Sequence, residues 1–222
     1  MKCNWSVKLR MAALLGLLVV GVNLSGCGAI SYLVEALTPS GKGEWVAAEN
    51  EALSKDKKVL ILVHADDADY SGQYQHAEIR YETAATIAGQ MRSKLAVDVV
   101  DPAIVEQFQR SNPNWTDRHP SRIGRERYRV DLVLYIELQE FTTTSEEFGG
   151  LLRGSMEGNC SLFTTGKSGA EAEVWHKKVR AVYPPDIPEL RETGAEGRIR
   201  GETMKLFAEG VVKNFYGHYE PY

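Results

Sequence analysis

The stretch Val59-Leu60-Ile61-Leu62-Val63 is apolar at every position and only five residues long. A strand that faces solvent on one side alternates apolar and polar residues, whereas a strand covered on both sides is apolar throughout. This run is therefore typical of a central strand in a sheet that is covered on both faces. We expect the folded domain to be built around it.

The residues that follow this strand predict helices joined by short connections. After a loop over residues 64–72, apolar and small residues recur at alternating spacings of four and three, which predicts a long amphipathic helix packed close to the sheet: Ala77, Tyr81, Ala84, Ala88, Met91 and Leu95. A short β-rich stretch, residues 96–100, ends at Asp101-Pro102, an acid and a proline that suit the N-cap and first turn of a second helix. A helical stretch over residues 121–129 then precedes a strand over residues 132–138.

The second half of the chain changes to the two-residue period of half-exposed strands. Six inward positions alternate with polar residues: Leu152, Gly154, Met156, Gly158, Cys160 and Leu162. The turn Gly166-Lys167-Ser168-Gly169 leads to a partner strand over residues 172–183, whose alternation slips near residues 176–178 and predicts a bulge there. Apolar residues between Met204 and Phe215 predict a packed terminal helix.

The element order β-α-β-α-α-β-β-β-α mixes crossover units with a hairpin. It predicts an α/β fold with a mixed β-sheet that includes an antiparallel hairpin and is flanked by helices. Pro39, Gly41 and Gly43 predict a linker before this fold. The folded part is therefore expected over residues 45–222, as a single domain.

The first residues of the chain have the pattern of an export signal. Lys2, Lys8 and Arg10 are basic, and no acidic residue occurs among the first 26 residues. The apolar run that follows, residues 11–22, is 12 residues long. A membrane-spanning helix needs about 20 apolar residues, so this run predicts the hydrophobic core of a secretory signal peptide.

The signal ends in Leu24-Ser25-Gly26-Cys27, which resembles the lipobox of bacterial lipoproteins at every position. That resemblance implies lipidation of the Cys27 thiol and signal cleavage between Gly26 and Cys27. Residues 1–26 are then the signal peptide, and residues 27–44 are the lipidated N-terminus and linker. Gly28 stands where an aspartate usually directs retention in the inner membrane, which favours the outer membrane, facing the periplasm. Ordinary signal cleavage beside an incidental cysteine is the alternative.

Charge and cysteine content narrow the function classes. Cleavage after Gly26 leaves 196 residues with 23 basic and 30 acidic side chains, a formal charge of −7. This charge argues against a nucleic-acid partner, and export argues against it more strongly. Cys160 is then the one thiol left beside the acylated Cys27, so an internal disulfide is not expected.

Four residues after the central strand form one candidate site. His64, Asp66, Asp67 and Asp69 follow the strand at the edge of the sheet where many α/β proteins bind ligands. Three carboxylates and an imidazole suit a divalent metal or a small polar ligand. The spacing matches no calcium-loop pattern, and a solvated acidic loop before a helix is the alternative interpretation.

Four arginines form a second candidate site. Arg118, Arg122, Arg125 and Arg129 share one face if the segment is helical, and such a face suits lipid phosphates or an acidic partner. A solvated helix flank is the alternative interpretation.

No pattern of catalytic residues occurs in the chain. Gly166-Lys167-Ser168 matches the end of a phosphate-binding P-loop, but Ser161 stands where that motif needs glycine, so we expect a hairpin turn. Cys160 lies on the apolar side of its strand, which predicts a buried side chain. No nucleophile elbow or zinc-binding histidine pair is present, which lowers the expectation of an enzyme without removing it.

Several stretches together resemble a planctomycete-type group of envelope lipoproteins: the lipobox, KKVLILV, SRIGRERYRVDLVLYIELQEF and GSMEGNCSLF. Over about residues 45–217, the element order is also similar to the small α/β domain of the TolB amino-terminal region and of CsgG-like and GNA1162-like lipoproteins. This resemblance implies a non-enzymatic envelope adaptor without a cofactor. Its lipid holds it at the membrane, and it assembles with other envelope proteins. The resemblance does not specify the oligomeric state. The CsgG pore-forming segments are not evident here. A lipid-tethered enzyme or sensor, with a metal or ligand on the His64–Asp69 loop, is the alternative.

Overall fold

The computed structural model describes residues 43–65, 69–71, 76–145 and 151–221. Val46–His218 form one compact unit, and the remaining described residues belong to a second, small unit. The strands, in chain order, are β1 (Gly43–Val46), β2 (Lys58–His64), β3 (Asp69–Ser71), β4 (Asp98–Val99), β5 (Leu132–Thr144), β6 (Leu152–Thr164), β7 (Glu173–Tyr183) and β8 (His218–Pro221). The α-helices are α1 (His76–Leu95), α2 (Pro102–Ser111), α3 (Pro120–Ile123) and α4 (Ala195–Val212).

The main sheet is mixed, with the strand order β4-β2-β5-β6-β7. β2 runs parallel to both β4 and β5, whereas β5, β6 and β7 are antiparallel neighbours. β3 also pairs with β5, beyond the point where β2 ends. β1 and β8 form a separate two-stranded antiparallel sheet, in which Trp45 meets Tyr219 edge-on at 5.0 Å between ring centroids. The predicted α/β fold with a mixed sheet and an antiparallel hairpin is confirmed.

β2 is buried on both faces, as its sequence predicts. Val59, Ile61 and Val63 belong to the larger core, which also includes buried residues of α1 and α4. Leu60 and Leu62 point to the opposite face and belong to a second core, completed by residues outside β2: Val105, Phe108, Trp115, Ile123, Val130 and Val133. Each apolar position of the strand therefore contributes to one of two cores.

The buried face of α1 differs from the predicted one. Ala84, Ala88 and Met91 are buried as expected, but Tyr81 is 43% exposed and Ile79 is fully buried. α1 packs against β2, α2 and α4 at once. Because partners lie on several sides, the buried band of the helix is wider than a single stripe and is rotated away from Tyr81.

α2 begins as predicted from Asp101-Pro102. The Asp101 carboxylate accepts a hydrogen bond from the Ala103 backbone N–H at 2.9 Å, and Pro102 occupies the first turn. This side chain satisfies one of the backbone donors that the start of a helix leaves without a partner. The helix ends at Ser111.

The hairpin of β6 and β7 has the predicted alternation, but the bulge lies elsewhere. The ladder is irregular where Leu162 faces Trp175 and Phe163 faces Glu173, so the extra residue is Val174 rather than one of residues 176–178. The alternation misleads because the inward position after Trp175 is Lys177. The Lys177 ammonium donates a hydrogen bond to Asn214 Oδ1 at 2.8 Å and another to the Glu49 carboxylate. The hydrogen bond from Lys177 to Glu49 lowers the pKa of Glu49.

Gly154 in β6 leaves no room for a side chain. A Cβ at this position would lie 1.9 Å from Thr203 Oγ1 and 2.9 Å from Thr203 Cβ in α4. We expect Gly154→Ala to lower the free energy of unfolding by about 1–3 kcal/mol, because α4 must shift away from the sheet. Urea unfolding followed by circular dichroism measures the change.

Gly201→Ala is the matched control. Gly201 lies inside α4, and a Cβ there meets nothing within 4 Å. This replacement is expected to raise the free energy of unfolding by about 0.5–1 kcal/mol, because glycine is the less favourable residue in a helix interior. Equal shifts in the two variants would contradict the close approach of α4 to β6.

Candidate functional site

The candidate lipidation site, Gly26 and Cys27, lies outside the described residues. Signal cleavage and lipidation at these positions stay predictions from the sequence. Within the described ranges, no helix combines the length and the apolar character that crossing a bilayer requires.

The structure describes only part of the candidate acidic loop. His64 is the last residue of β2 and faces Glu137 of β5 in the parallel ladder. Its ring meets Trp115 edge-on, with 6.0 Å between centroids. Asp66 and Asp67 lie outside the described residues, and Asp69 begins β3, where only its backbone is described. The fold thus places His64 beside Glu137, a neighbour that the sequence does not indicate.

A metal site on this loop stays a prediction. Among residues 43–65, 69–71, 76–145 and 151–221, no three histidine, cysteine, aspartate or glutamate side chains are grouped as a metal would need. This statement does not cover the carboxylates of Asp66, Asp67 and Asp69, because the structure describes none of these three side chains.

The four candidate arginines are exposed, but they do not lie along one helix. Arg118 follows a 3-10 turn, Pro113–Asp117, in extended conformation. Arg122 belongs to α3, and Arg125 belongs to a π-helical turn, Gly124–Tyr128. Arg129 ends that turn in the left-handed region, with φ of 51°. The predicted helical stretch over residues 121–129 is confirmed as far as Tyr128, although its hydrogen bonding changes from α to π at Gly124.

Two of these four arginines have partners. Arg122 Nε lies 2.8 Å from Glu126 Oε1, and Arg125 donates to the Thr165 carbonyl at 3.5 Å. In the described part of the chain, Arg118 and Arg129 make no comparable contact.

Cys160 is buried as its alternation predicts. It belongs to the larger core, and burial raises the pKa of its thiol to about 12. Because this pKa lies far above neutral pH, almost none of the side chain is present as thiolate there. The thiolate is the reactive form of cysteine, so Cys160 is unreactive in the folded protein.

We expect the Cys160 thiol to resist alkylation in the folded protein. At pH 8, iodoacetamide should leave the Cys160 peptide unmodified in native buffer and modify it fully in urea, as measured by peptide mass mapping. Rapid modification of the native protein would contradict the burial of this strand position.

Ser161, His176 and Glu173 form a polar cluster that the sequence does not indicate. Ser161 Oγ lies 2.8 Å from His176 Nδ1, and Glu173 Oε1 lies 3.3 Å from the same nitrogen. A serine nucleophile needs the imidazole to contact serine through one nitrogen and an orienting acid through the other. Both contacts here use Nδ1, so the cluster joins β6 to β7 without the geometry of a proton relay.

A buried ion pair lies between α1 and α2. Arg80 Nη2 lies 3.3 Å from Glu106 Oε1, Arg80 Nε lies 3.4 Å from Glu106 Oε2, and the side chains are only 10% and 9% exposed. Glu106 also lines a groove of about 440 Å³ between these helices, together with Tyr81 and Arg110. The sequence offers one indication of this pair, because Arg80 is a charged residue on the inward side of the predicted helix.

The antiparallel half of the sheet has a partly exposed polar face, which we call the outer face. We define it by Glu137, Glu157, Asn159, Lys178 and Arg180. The ladders place Asn159 between Glu137 and Lys178, and Glu157 beside Arg180. Lys178 Nζ lies 2.5 Å from Glu157, and Arg180 Nε lies 3.9 Å from it. β7 is the last strand on this side of the sheet among the described strands. The outer face therefore ends at a strand edge.

No protein-family model and no curated protein matches the chain. Among solved structures, it is similar to lipoprotein GNA1162 from Neisseria meningitidis, with a TM-score of 0.42 and 15% identity over 64% of this chain and 92% of that chain. It is also similar to the PelC dodecamer from Paraburkholderia phytofirmans, with a TM-score of 0.44 and 11% identity over 78% of this chain and 99% of that chain. The LpoB C-terminal domain from Salmonella enterica gives a TM-score of 0.39 and 12% identity over 60% of this chain and 87% of that chain. These similarities assign no residue of this chain a role.

Proposed function

We propose that this chain is a lipid-anchored protein of the cell envelope that acts as a non-enzymatic adaptor or assembly component for a protein complex. The observation that carries the proposal is the sequence Leu24-Ser25-Gly26-Cys27 after a basic start and a 12-residue apolar run. Each buried methylene of an acyl chain contributes about 0.8 kcal/mol, so two or three chains on Cys27 hold a protein firmly at a membrane. We assign it to the outer membrane, facing the periplasm.

The described surface supports a binding role. The reactive groups in the hairpin serve the fold: Cys160 is buried, and the Ser161 hydroxyl is bound to His176. The outer face instead offers charged and amide side chains beside the edge of β7. Such a surface suits a protein partner, because strand edges and charge-assisted hydrogen bonds give both affinity and orientation.

The anchor is tested by fractionating cells that express the chain or its Cys27→Ala variant. We expect the unchanged chain to stay with the outer membrane until detergent is added, and its intact mass to include the acyl chains. The variant should lack the acyl mass. A processed chain with an unmodified thiol, released without detergent, would refute the anchor.

The partner role is tested by photo-crosslinking in intact envelopes. A photoreactive residue in place of Arg180 on the outer face is expected to give defined adducts heavier than the chain, which mass spectrometry then identifies. The same residue in place of the exposed Lys55, in the turn before β2, is the control and should not give those adducts. Recovery of the protein only as an isolated monomer from both positions would count against an adaptor.

The alternative function is a lipid-tethered enzyme or sensor that binds a metal or ligand on the His64–Asp69 loop. The observation that favours it is the position of His64 beside Glu137 at the end of β2. Metal analysis of the purified protein, compared with a variant that carries alanine at Asp66, Asp67 and Asp69, distinguishes the two functions. Equal stability and no bound metal in both proteins would remove the support for this alternative.

A further inference from the structure

Six arginines lie close together in the chain between the end of α2 and the start of β5. We call them the arginine cap: Arg110, Arg118, Arg122, Arg125, Arg127 and Arg129. All six are exposed. Only Asp117 and Glu126 oppose them within residues 110–129, so this segment carries a formal charge of +4 in a chain whose total is −4. The cap is therefore a local reversal of the charge of the protein.

The segment that carries the cap is fixed to the sheet. Trp115, Ile123 and Val130 are buried in the core that covers Leu60 and Leu62. Gly124 packs so closely that a Cβ there would lie 2.4 Å from Val133 Cγ2. Because apolar residues hold the turns between the arginines, the backbone that presents the guanidinium groups is packed rather than loose.

The guanidinium groups differ in how far the fold uses them. Glu126 neutralises Arg122, and Arg127 lies over the Phe108 ring at 5.9 Å. Arg110 Nε is 3.8 Å from Glu106, which is already bound to Arg80. Arg118 and Arg129 have no such partner among the described residues. These two are thus the side chains most available to an external anion.

The position of Arg129 is an independent observation. Its φ of 51° lies in the left-handed region, where residues with a Cβ are uncommon and glycine or asparagine is favoured. Arginine stands at this position in place of glycine or asparagine, which points to a role for the Arg129 side chain.

Arg118 also lines a groove that offers further hydrogen-bond donors. The groove has a volume of about 260 Å³ and includes Ser111, Asn112 and Asn114. Guanidinium groups bind the oxygens of phosphates in pairs, and hydroxyl and amide donors complete such sites. The cap contains arginine and no lysine, which favours phosphate over an anion without paired oxygens.

We propose that the arginine cap docks on the phosphate headgroups of anionic phospholipids and so orients the domain on the membrane. This inference rests on the proposed function, because the lipid anchor is what keeps the domain close to a membrane. The 15 residues between Cys27 and Gly43 span at most about 50 Å, so the anchor keeps the domain within reach of headgroups at a high effective concentration. Each arginine near an anionic surface contributes about fivefold to binding.

The test measures the reaction of each arginine with phenylglyoxal by peptide mass mapping. The purified full chain is reconstituted on vesicles of phosphatidylglycerol and phosphatidylethanolamine, or of phosphatidylcholine alone. We expect Arg118 and Arg129 to react about fivefold more slowly on the anionic vesicles, and high salt to remove the difference. Arg191, exposed in the segment before α4, should react equally on both.

Two pairs of substitutions locate the effect. Docking of the cap should also slow the reaction of Arg122 and Arg127 on anionic vesicles, and Arg118→Gln with Arg129→Gln should restore their fast reaction. Lys55→Gln with Lys94→Gln removes the same charge at exposed positions elsewhere and should leave the protection intact. Loss of protection in the lysine variant would overturn the proposal, because it would show a general charge effect.

Further arms separate the possible sources of anion. Equal reaction rates on the two vesicle types would overturn the proposal. Equal protection by a polyglutamate peptide without vesicles would instead indicate an acidic protein partner, and protection by inorganic phosphate alone would indicate a small-anion site. Failure of the proposed anchor gives a different result from failure of the cap. Without the anchor, the chain would dissociate from phosphatidylcholine vesicles, but the reaction rates of Arg118 and Arg129 on anionic vesicles would still show whether the cap binds.

Discussion

Replacing Glu106 with alanine is expected to lower the free energy of unfolding by about 3–5 kcal/mol. Arg80 contacts both oxygens of this carboxylate, at 3.3 and 3.4 Å, and both side chains are about nine-tenths buried. The replacement removes the carboxylate that neutralises a guanidinium already withdrawn from water between α1 and α2. Most of the expected effect is therefore the cost of breaking a buried charge pair by removing one of its two members. Urea unfolding monitored by circular dichroism measures it.

The control for this prediction is an exposed ion pair. Glu202 lies 3.4 Å from Lys205, with side chains 40% and 62% exposed, so Glu202→Ala should cost less than about 1 kcal/mol. Replacing both members of the buried pair, with Arg80→Met and Glu106→Leu, should recover most of the lost stability, because apolar residues of similar volume avoid the desolvation cost. If Glu106→Ala behaved like Glu202→Ala, the pair would not be buried in solution.

Replacing Phe207 with alanine is expected to lower the free energy of unfolding by about 3–5 kcal/mol as well. Phe207 is fully buried in the larger core, and its ring approaches β6 at Gly158, where a Cβ would lie 3.4 Å from Phe207 Cζ. The residue joins α4 to the middle of the sheet. Its truncation loses the free energy gained by burying the ring and also leaves a cavity in the core. The cost of the lost burial and the cost of the cavity add.

Leu206 is the matched control because it is the preceding residue of the same helix and is 37% exposed. Leu206→Ala should cost less than about 1 kcal/mol, since little apolar area returns to water. For a domain of this size each kcal/mol corresponds to about 2–4 °C in Tm, so the two variants should differ clearly by calorimetry. Similar Tm values for both would mean that α4 does not cover the sheet through Phe207.

The parts of the fold that were predicted correctly depend on neighbours along the chain. Val59–Val63 is apolar throughout because both faces of β2 are covered. The alternation in β6 reflects one covered face, and Asp101 caps a helix that begins one residue later. The incorrect details, the face of α1 and the position of the bulge, arise where residues far away in sequence decide. α1 packs against three elements, and Lys177 takes an inward position because Asn214 and Glu49 accept hydrogen bonds from its ammonium.

The candidate sites follow the same division. The sequence shows the arginines as a charge cluster, but Arg118 precedes the helical stretch and Arg129 ends it, so the four do not share one helical face. The Arg80–Glu106 pair and the Ser161–His176 contact were not predicted. Their partners lie 26 and 15 residues apart, in different elements, and no local period indicates which charges the packing of those elements will bring together.

The sequence by itself determined the α/β character of the fold and the covered central strand, because both follow from periods of two to four residues. The same local patterns predict the export signal and the lipobox from one contiguous stretch. Only the tertiary structure decided which charged side chains are buried in pairs and which stay in water. Burial of an ion depends on the elements that pack over it, and those elements are set by the path of the whole chain and not by the ion's neighbours in sequence.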